Sequence, residues 1–381
     1  MEIREGGLYI NIPFCSNKCL YCDFYSGGVR IADWEKYISS LILELKERRS
    51  EISFSPITLY IGGGTPSLMP IEFLQYLIIN INKELGTEFW KEITLEVNPE
   101  DVSVEKIINW KKLGINRISI GIQTLNNQEL KNLGRIHTSE TSITAIRNLK
   151  KEFENISVDL MFGIPGQSVN SYKATLSTII EMAPAHISSY ALMLEPGTAM
   201  TLLWEQNRIK LPTEEENIKM YDLTQKILKE NGYVQYEISN YALPGYESLH
   251  NYSYWKGKPY LGLGPGAHSY DGARCRRWNP KDIKSYWDRF GIVNLETNPF
   301  YEEEILTKEE MKEEMIMTRL RTTKGLDIYE FGKLFGEKEK NILLQKSIPF
   351  KMKKLLKEEN NFLSFTNRGF LLSDSVLSSL I

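Results

Sequence analysis

The sequence predicts an α/β fold: a partial, TIM-like (β/α)6 barrel followed by a smaller α+β C-terminal domain. Three observations carry that expectation. Six short apolar or β-branched runs recur through the first 195 residues, stretches of helical period separate them, and beyond residue 195 the alternation stops.

The runs Leu8–Ile12, Thr58–Ile61, Ile93–Val97, Arg117–Ile122, Ser157–Phe162 and His186–Leu192 read as buried strands. Asp33–Arg49, Ile71–Leu85, Val104–Leu113, Ser139–Phe153 and Ser168–Met182 read as amphipathic helices. Asp33, Ser103, Thr138 and Ser168 are placed to cap them, and Pro70 suits a first helical position. Parallel strands need crossover helices, so repeated βα units imply a parallel sheet, and six of them suggest a partial or complete barrel. Thr213–Asn231 reads as one long polar helix. Tyr236 to Asn279 is rich in Gly, Pro, Tyr and Trp, as short strands and turns would be. From Tyr301 the chain becomes charged, with helices expected at Glu302–Leu320, Asp327–Phe335 and Lys340–Leu356. Phe362–Thr366 and Gly369–Leu372 suggest a hairpin around Asn367-Arg368, as in winged-helix modules. The expected division is a core barrel over 1–230, a Gly- and aromatic-rich β extension flanking the site over 231–300, and a mainly helical, winged-helix-like domain over 301–381.

Composition narrows the function classes. Forty-six Lys and Arg against 49 Asp and Glu leave a net charge of −3, so there is no basic excess for nucleic acid. Met1–Phe14 lacks the apolar core of a signal peptide, and no apolar run approaches the roughly 18 residues of a membrane span. A cytoplasmic protein is expected. Of four cysteines, three fall within eight residues and Cys275 lies far away, which is unlike a disulfide framework.

Those three, Cys15, Cys19 and Cys22, have C-x3-C-x2-C spacing just past the first strand. Structural zinc needs a closed tetrahedral set, yet the first histidine is His137. Covalent heme needs C-x-x-C-H, and Asp23 follows Cys22. A redox pair at Cys19 and Cys22 would leave Cys15 idle, and incidental buried thiols are the bland alternative. Three thiolates on one tight loop suit an iron–sulfur cube whose fourth iron stays open.

Other informative residues fall at strand ends, where parallel αβ barrels build their sites. Gly63 and Gly64, in Gly62-Gly63-Gly64-Thr65-Pro66, let backbone groups approach an amino-acid moiety closely. Glu96 can accept from ribose hydroxyls or an ammonium, and Arg135 offers a planar fork for a carboxylate. Gln123 ends the fourth strand. Asp159 is a charge inside an apolar strand, and such charges are rarely left unpaired. Singly, Glu96 and Asp159 could be structural ion-pair members and Gln123 a helix cap.

The cysteine spacing resembles that of the radical S-adenosylmethionine (SAM) superfamily. That resemblance implies a radical SAM barrel, with a [4Fe–4S] cluster on the three cysteines and S-adenosyl-L-methionine chelating the open iron. One electron from the cluster then cleaves the sulfonium to methionine and a 5′-deoxyadenosyl radical. The motifs Ile12-Pro13-Phe14-Cys15, Tyr21-Cys22-Asp23-Phe24, Gly62–Pro66, Leu133-Gly134-Arg135-Ile136-His137 and Asp159-Leu160-Met161-Phe162-Gly163-Ile164-Pro165-Gly166-Gln167 resemble the oxygen-independent coproporphyrinogen III oxidase family. That likeness implies SAM contacts at Tyr9, Tyr21, Gly63, Gly64, Thr65, Glu96, Gln123, Arg135, Asp159 and Ala191. The oxidases have a fourth cysteine two residues after the third, where this chain has Phe24. Phe24, with His250-Asn251-Tyr252-Ser253-Tyr254-Trp255 and Gly264-Pro265-Gly266-Ala267-His268-Ser269, is similar to the HemW branch, the family's heme chaperones. The likeness implies a protein that binds heme and passes it on; an oxidase-like radical SAM oxidoreductase in porphyrin biosynthesis is the alternative. His250 is the candidate heme ligand, since histidine commonly holds heme iron and aromatics surround it here; His268 is a weaker candidate. Arg274, Arg276 and Arg277 could pair with propionates. The partners implied are heme, a heme-acceptor protein of unspecified identity and an electron donor for the cluster. That acceptor can be membrane-associated although the chain carries no membrane segment.

Overall fold

In the computed structural model, residues 4–28, 31–87, 89–290 and 300–381 are described. The six expected strands form and run parallel in chain order: β1 (Glu5–Ile12), β2 (Ser55–Gly63), β3 (Glu92–Val97), β4 (Arg117–Gln123), β5 (Asn155–Phe162) and β6 (His186–Ala191). The crossovers between them are α1 (Ile31–Arg48), α2 (Ile71–Leu85), α3 (Val104–Lys112), α4 (Asn127–Leu133) with α5 (Ser139–Leu149), and α6 (Val169–Glu181). Ser103, Thr138 and Ser168 cap their helices by accepting from the amides of Lys106, Thr141 and Ser171. Two expected starts move. α1 begins at Ile31, so Asp33 lies inside its first turn, and Pro70 stands one residue before α2.

Alternation along the strands separates two faces. Leu8, Ile10, Ile12, Leu59, Ile61, Leu95, Ile118, Ile120, Ile122, Val158 and Leu160 pack against the helices and are essentially inaccessible. Burial of each such side chain is worth about 1.5–3 kcal/mol. The intervening positions are polar and bond to one another: Tyr60 to Glu96, Ser119 to Asp159, Ser157 to His186. A barrel interior normally filled by branched aliphatics is polar here, which marks it as a working surface.

The chain continues through α7 (Ala199–Glu205) and α8 (Glu214–Glu230), then widens the sheet at both edges. β7 (Val234–Gln235) and β8 (Asn240–Ala242) add beyond β6. After α9 (Leu249–Trp255), β9 (Tyr260–Leu263) pairs parallel with β1, and β10 (His268–Tyr270) and β11 (Cys275–Trp278) follow antiparallel. α10 (Ile283–Phe290) packs on α1. Residues 291–299 of the expected β extension lie outside the described residues. Glu302–Ile305, expected as the start of a helix, is instead strand β12 on the edge of β11. Arg277 and Trp278 draw Glu303 and Glu302 across by side-chain bonds of 3.1 and 3.0 Å, so a run that reads as helical is paired by complementary charge. Buried Glu44 locks this extension to α1. It accepts from Arg48 (3.0 Å), Asn279 (2.6 Å), Tyr286 (2.8 Å) and the Gly264 amide (2.8 Å), so its charge is fully compensated.

The C-terminal part comprises α11 (Lys308–Leu320), β13 (Leu326–Asp327), α12 (Ile328–Phe335), α13 (Glu337–Met352), β14 (Leu356–Glu359), β15 (Phe362–Phe365), α14 (Asn367–Leu371) and α15 (Ser373–Leu380). The hairpin is β14–β15 and turns at Asn360-Asn361, not at Asn367-Arg368. Both asparagines have positive φ (52° and 66°), the conformation a two-residue primed turn requires. Thr366 caps α14, so the residues expected to turn are helical.

Candidate functional site

The cysteine loop leaves β1 at Ile12 and is tied to its surroundings by backbone bonds. Gly64 and Thr65 amides donate to Ile12 and Phe14 carbonyls (both 2.7 Å), Cys15 donates to Gly27 (3.0 Å), and Gly27 donates back to Pro13 (2.9 Å). At its far end Leu20 donates to Leu133 (3.0 Å) and accepts from Met200 (2.8 Å). A Cβ on Gly64 would lie 2.6 Å from the Phe14 carbonyl and 3.0 Å from Cys15 Sγ, so only glycine lets the two segments meet.

All three thiols line one cavity of about 190 Å3 at the C-terminal ends of the strands, together with Tyr21, Gly63, Gly64, Thr65, Glu96, Gln123, Arg135 and Asp159. The Thr65 hydroxyl donates to Cys15 Sγ (3.4 Å) and Arg135 donates to Cys19 Sγ (3.5 Å). Among the described residues no three His, Cys, Asp or Glu side chains converge on a single metal ion. Three thiols spread around one cavity suit a polynuclear cluster better than a lone zinc. Burial pushes the Cys22 thiol up, against the Phe24 amide, which favours the thiolate. The Phe24 side chain itself is exposed.

Opposite the thiols stand the strand-end groups. Glu96 accepts from the Tyr60 hydroxyl (2.7 Å) and the Gly63 amide (3.0 Å). Burial, helped by nearby Asp159, pushes its carboxyl up to about 7 against those two donors. Asp159 accepts from Ser119 (3.0 Å) and Ser157 (3.3 Å); burial raises it too, opposed by the hydroxyls of Ser188, Ser119 and Ser157 and by Arg117. Arg135 donates to Asn98 Oδ1 (2.9 Å) and the Gly121 carbonyl (2.6 Å). Burial would lower the guanidinium, but Tyr21 and Cys19 beside it hold it above its ordinary value. Its buried Nε has no hydrogen-bond partner among the described residues, an orphan donor beside the cavity.

Gln123 closes β4 at φ 67°, just past a register shift against β5. A non-glycine residue held there costs on the order of 1 kcal/mol, and such strain clusters at functional sites. Gln123→Gly should therefore raise the unfolding free energy by roughly 1 kcal/mol, read as a higher denaturant midpoint, while removing an amide from the cavity wall; a lowered midpoint would show that the conformation is unstrained.

Two expected site residues do not line the cavity. Tyr9 lies in the barrel interior, its hydroxyl donating to Asn11 (3.2 Å) and its ring 6.1 Å from Tyr60 and 6.5 Å from His250. Ala191 is exposed at the end of β6. The sequence reading missed Asn98, Ser119 and Tyr60, which position Arg135, Asp159 and Glu96. Strand alternation was the available signal, since each is an even number of residues from a predicted site position or lies on the same inner face.

His250, in α9, is completely buried at the opposite end of the strands. Its amide donates to Glu92 (3.0 Å), Nδ1 shares a bond with Thr58 (2.8 Å), and Nε2 shares one with the Tyr254 hydroxyl (2.7 Å). Tyr60 stacks on the ring at 5.1 Å, and burial together with Arg117 pulls its pKa down to about 3. As placed, it offers heme iron no free nitrogen; ligation would require Tyr254 to let go. Arg276 is held by Glu314 and Arg277 by Glu51 and Glu303, so neither is a free propionate partner. His268 is exposed and stacked on Trp278.

Residues 9–179 match the radical SAM superfamily model and 306–372 the HemN C-terminal domain model. The heme chaperone HemW of Lactococcus lactis is 35% identical over 388 residues, covering 99% of this chain and 98% of that protein. HemW of Bacillus subtilis is 33% identical, covering 98% of each. The chain belongs to the HemW family of the radical SAM superfamily. HemW of Mycobacterium tuberculosis is 30% identical across 100% of this chain and 96% of its own length. The solved coproporphyrinogen III oxidase (HemN) from Escherichia coli shares the fold, with a TM-score of 0.82 at 22% identity over 99% of this chain and 90% of that one. Superfamily membership implies a [4Fe–4S] cluster and SAM, and the thiol arrangement and the orphan Arg135 Nε fit both. No helix among the described residues is long and apolar enough to cross a membrane.

Proposed function

We propose that this HemW-family chain is a heme chaperone, holding a [4Fe–4S] cluster on Cys15, Cys19 and Cys22 and SAM in the cavity above them. Bound there, the pair would supply one-electron chemistry. Glu96 accepts from the ammonium or ribose hydroxyls of SAM, the Gly63-Gly64 backbone passes beside its amino-acid portion, and the free Nε of Arg135 meets a carboxylate. Gln123 and Asp159 close the far wall, and Tyr21 covers the thiol side. Tyr9 acts through Asn11 and Tyr60, and Ala191 stands at the rim.

The observation that carries the chaperone reading is similarity to HemW proteins along nearly the whole chain, joined to exposed Phe24 in place of a fourth cysteine. The partners proposed are heme, an acceptor protein and an electron donor for the cluster, in the cytoplasm. Anaerobically reconstituted protein should bind hemin, with a shifted Soret band, and release it to an apo-acceptor. It should not decarboxylate coproporphyrinogen III in the presence of SAM and reductant. Propionate decarboxylation would replace this reading with the oxidoreductase one.

A further inference from the structure

At the N-terminal ends of β1 and β9, far from the thiols, the β extension and the C-terminal helices border a second, open cavity of about 520 Å3. This volume falls within the range of sites for cofactor-sized ligands. Its lining includes the apolar side chains of Leu306, Met311, Met315 and Phe335, and the cations Lys256, Lys258 and Arg319, the last one turn beyond Met315 on α11.

The acids on the wall are largely engaged. Glu314 is held by Arg276, and Glu5 by Lys91 (2.6 Å) and Lys258 (3.1 Å). Glu330 also lines the wall and its charge acts on Arg319, but among the described residues no carboxylate lies within ion-pair distance of Lys256 or Arg319. Lys256 lies over the Tyr252 ring, and Arg319 donates to the Trp255 carbonyl and reaches to within 3.4 Å of a Cβ built on Gly257. Burial, then Lys258, Lys324 and Arg319, pulls Lys256 below its ordinary value, outweighing the opposing pull of Glu247. The cavity is therefore amphipathic, with two thioethers among its apolar groups and cations beside them.

We infer that this cavity receives an amphiphilic metalloporphyrin, its macrocycle against the Met311/Met315 face and its carboxylates at Lys256 and Arg319. The inference rests on the heme-chaperone reading and names where the cargo sits. Carboxylates pair with clustered cations, and thioether sulfur is an accepted axial ligand for heme iron. The eight residues of β1 separate the two cavities, a span of roughly 25 Å. Cargo at this end is out of reach of radical chemistry at the other, as a carrier that leaves its porphyrin unaltered requires.

The test is hemin titration of the full reconstituted chain, with iron-free protoporphyrin IX in parallel. Ala273→Trp, on an exposed turn at the cavity wall, fills the space; Lys256→Glu reverses its charge. Each should weaken binding of both porphyrins at least tenfold while cluster content and melting temperature stay at wild-type values. Met311→Leu with Met315→Leu should shift the spectrum of bound hemin but leave protoporphyrin binding unchanged. If wild type binds hemin and both cavity variants bind it equally well, this site is overturned and the chaperone reading stands. If wild type binds no hemin, both fall.

Discussion

A chain carrying Cys19→Ala should reconstitute no stable [4Fe–4S] cluster, with iron and acid-labile sulfide falling to background and the reduced-cluster EPR signal lost. On the proposed assignment three protein thiolates hold the cube, and among the described residues lining the cavity no further thiol or imidazole can take the place of the missing one. Across the cavity stand the guanidinium of Arg135, which donates to Cys19 Sγ, and carboxylates already bonded to Tyr60 and the serines. A cationic donor cannot ligate iron, and a cube on two thiolates is exposed to loss. The fold should survive, because Cys19 is only partly buried and its sulfur fills no core space. Cys275→Ala is the control: that thiol sits in β11, 3.8 Å from Glu303, and its removal should leave iron content unchanged. Wild-type iron content in Cys19→Ala would overturn the three-thiol assignment.

The second large effect concerns Glu96. Its carboxyl, raised from 4.5 to about 7 chiefly by burial, is partly protonated at neutral pH. An ammonium or ribose hydroxyl from SAM is best met by the carboxylate, so binding must displace the remaining proton. SAM affinity should therefore climb between about pH 6 and pH 8 and then level off. Glu96→Gln should weaken binding roughly ten- to a hundredfold and flatten that profile. The stability term has the opposite sign. A folded pKa above the unfolded value adds stability that is fully present below 4.5 and lost as pH rises through about 7, so wild type should lose melting temperature across that window and Glu96→Gln should lose less. The groups facing Glu96 are Tyr60, Asp159 and Arg117. The first stays protonated throughout and the last charged, while Asp159, also raised by burial, is tested by repeating the profile in Asp159→Asn. Calorimetry in buffers of different ionisation enthalpy would report the proton released on binding. A SAM affinity independent of pH would remove Glu96 from the ligand's polar contacts.

Much of this was legible in the sequence because barrel strands leave a two-residue signature and site groups gather where strands end. Glu96, Gln123 and Asp159 could be picked out by position alone, and the structure brings them to one cavity with the cysteines. Their supports were harder to see. Tyr60, Ser119 and Asn98 are ordinary residues on a strand face or just past a strand, and only side-chain bonding reveals what they orient. α9 was hidden for another reason: Leu-His-Asn-Tyr-Ser-Tyr-Trp has weak helix propensity, and the helix is held by the Ser248 cap and by Glu92 accepting its first amides. Glu302–Ile305 misleads because three glutamates favour a helix until Arg277 and Trp278 are brought alongside. His250 stood out in the sequence as a histidine among aromatics, but its burial and its two occupied nitrogens depend on Thr58 and Tyr254, which only the fold brings together.

The stitching of the cysteine loop fixes an order of assembly. The backbone bonds that hold it, from Gly64 to Ile12, Thr65 to Phe14, Gly27 to Pro13 and Leu20 to Leu133, need no sulfur. The conformational entropy of ordering the loop is therefore lost when the polypeptide folds, not when iron and sulfide arrive. Zinc fingers work the other way, with metal and fold appearing together. Here the backbone stitching predicts a loop already ordered before an inorganic core is installed. A molecule stripped of its iron by oxygen should thus be left as a folded protein ready to be refilled, not as an unfolded chain.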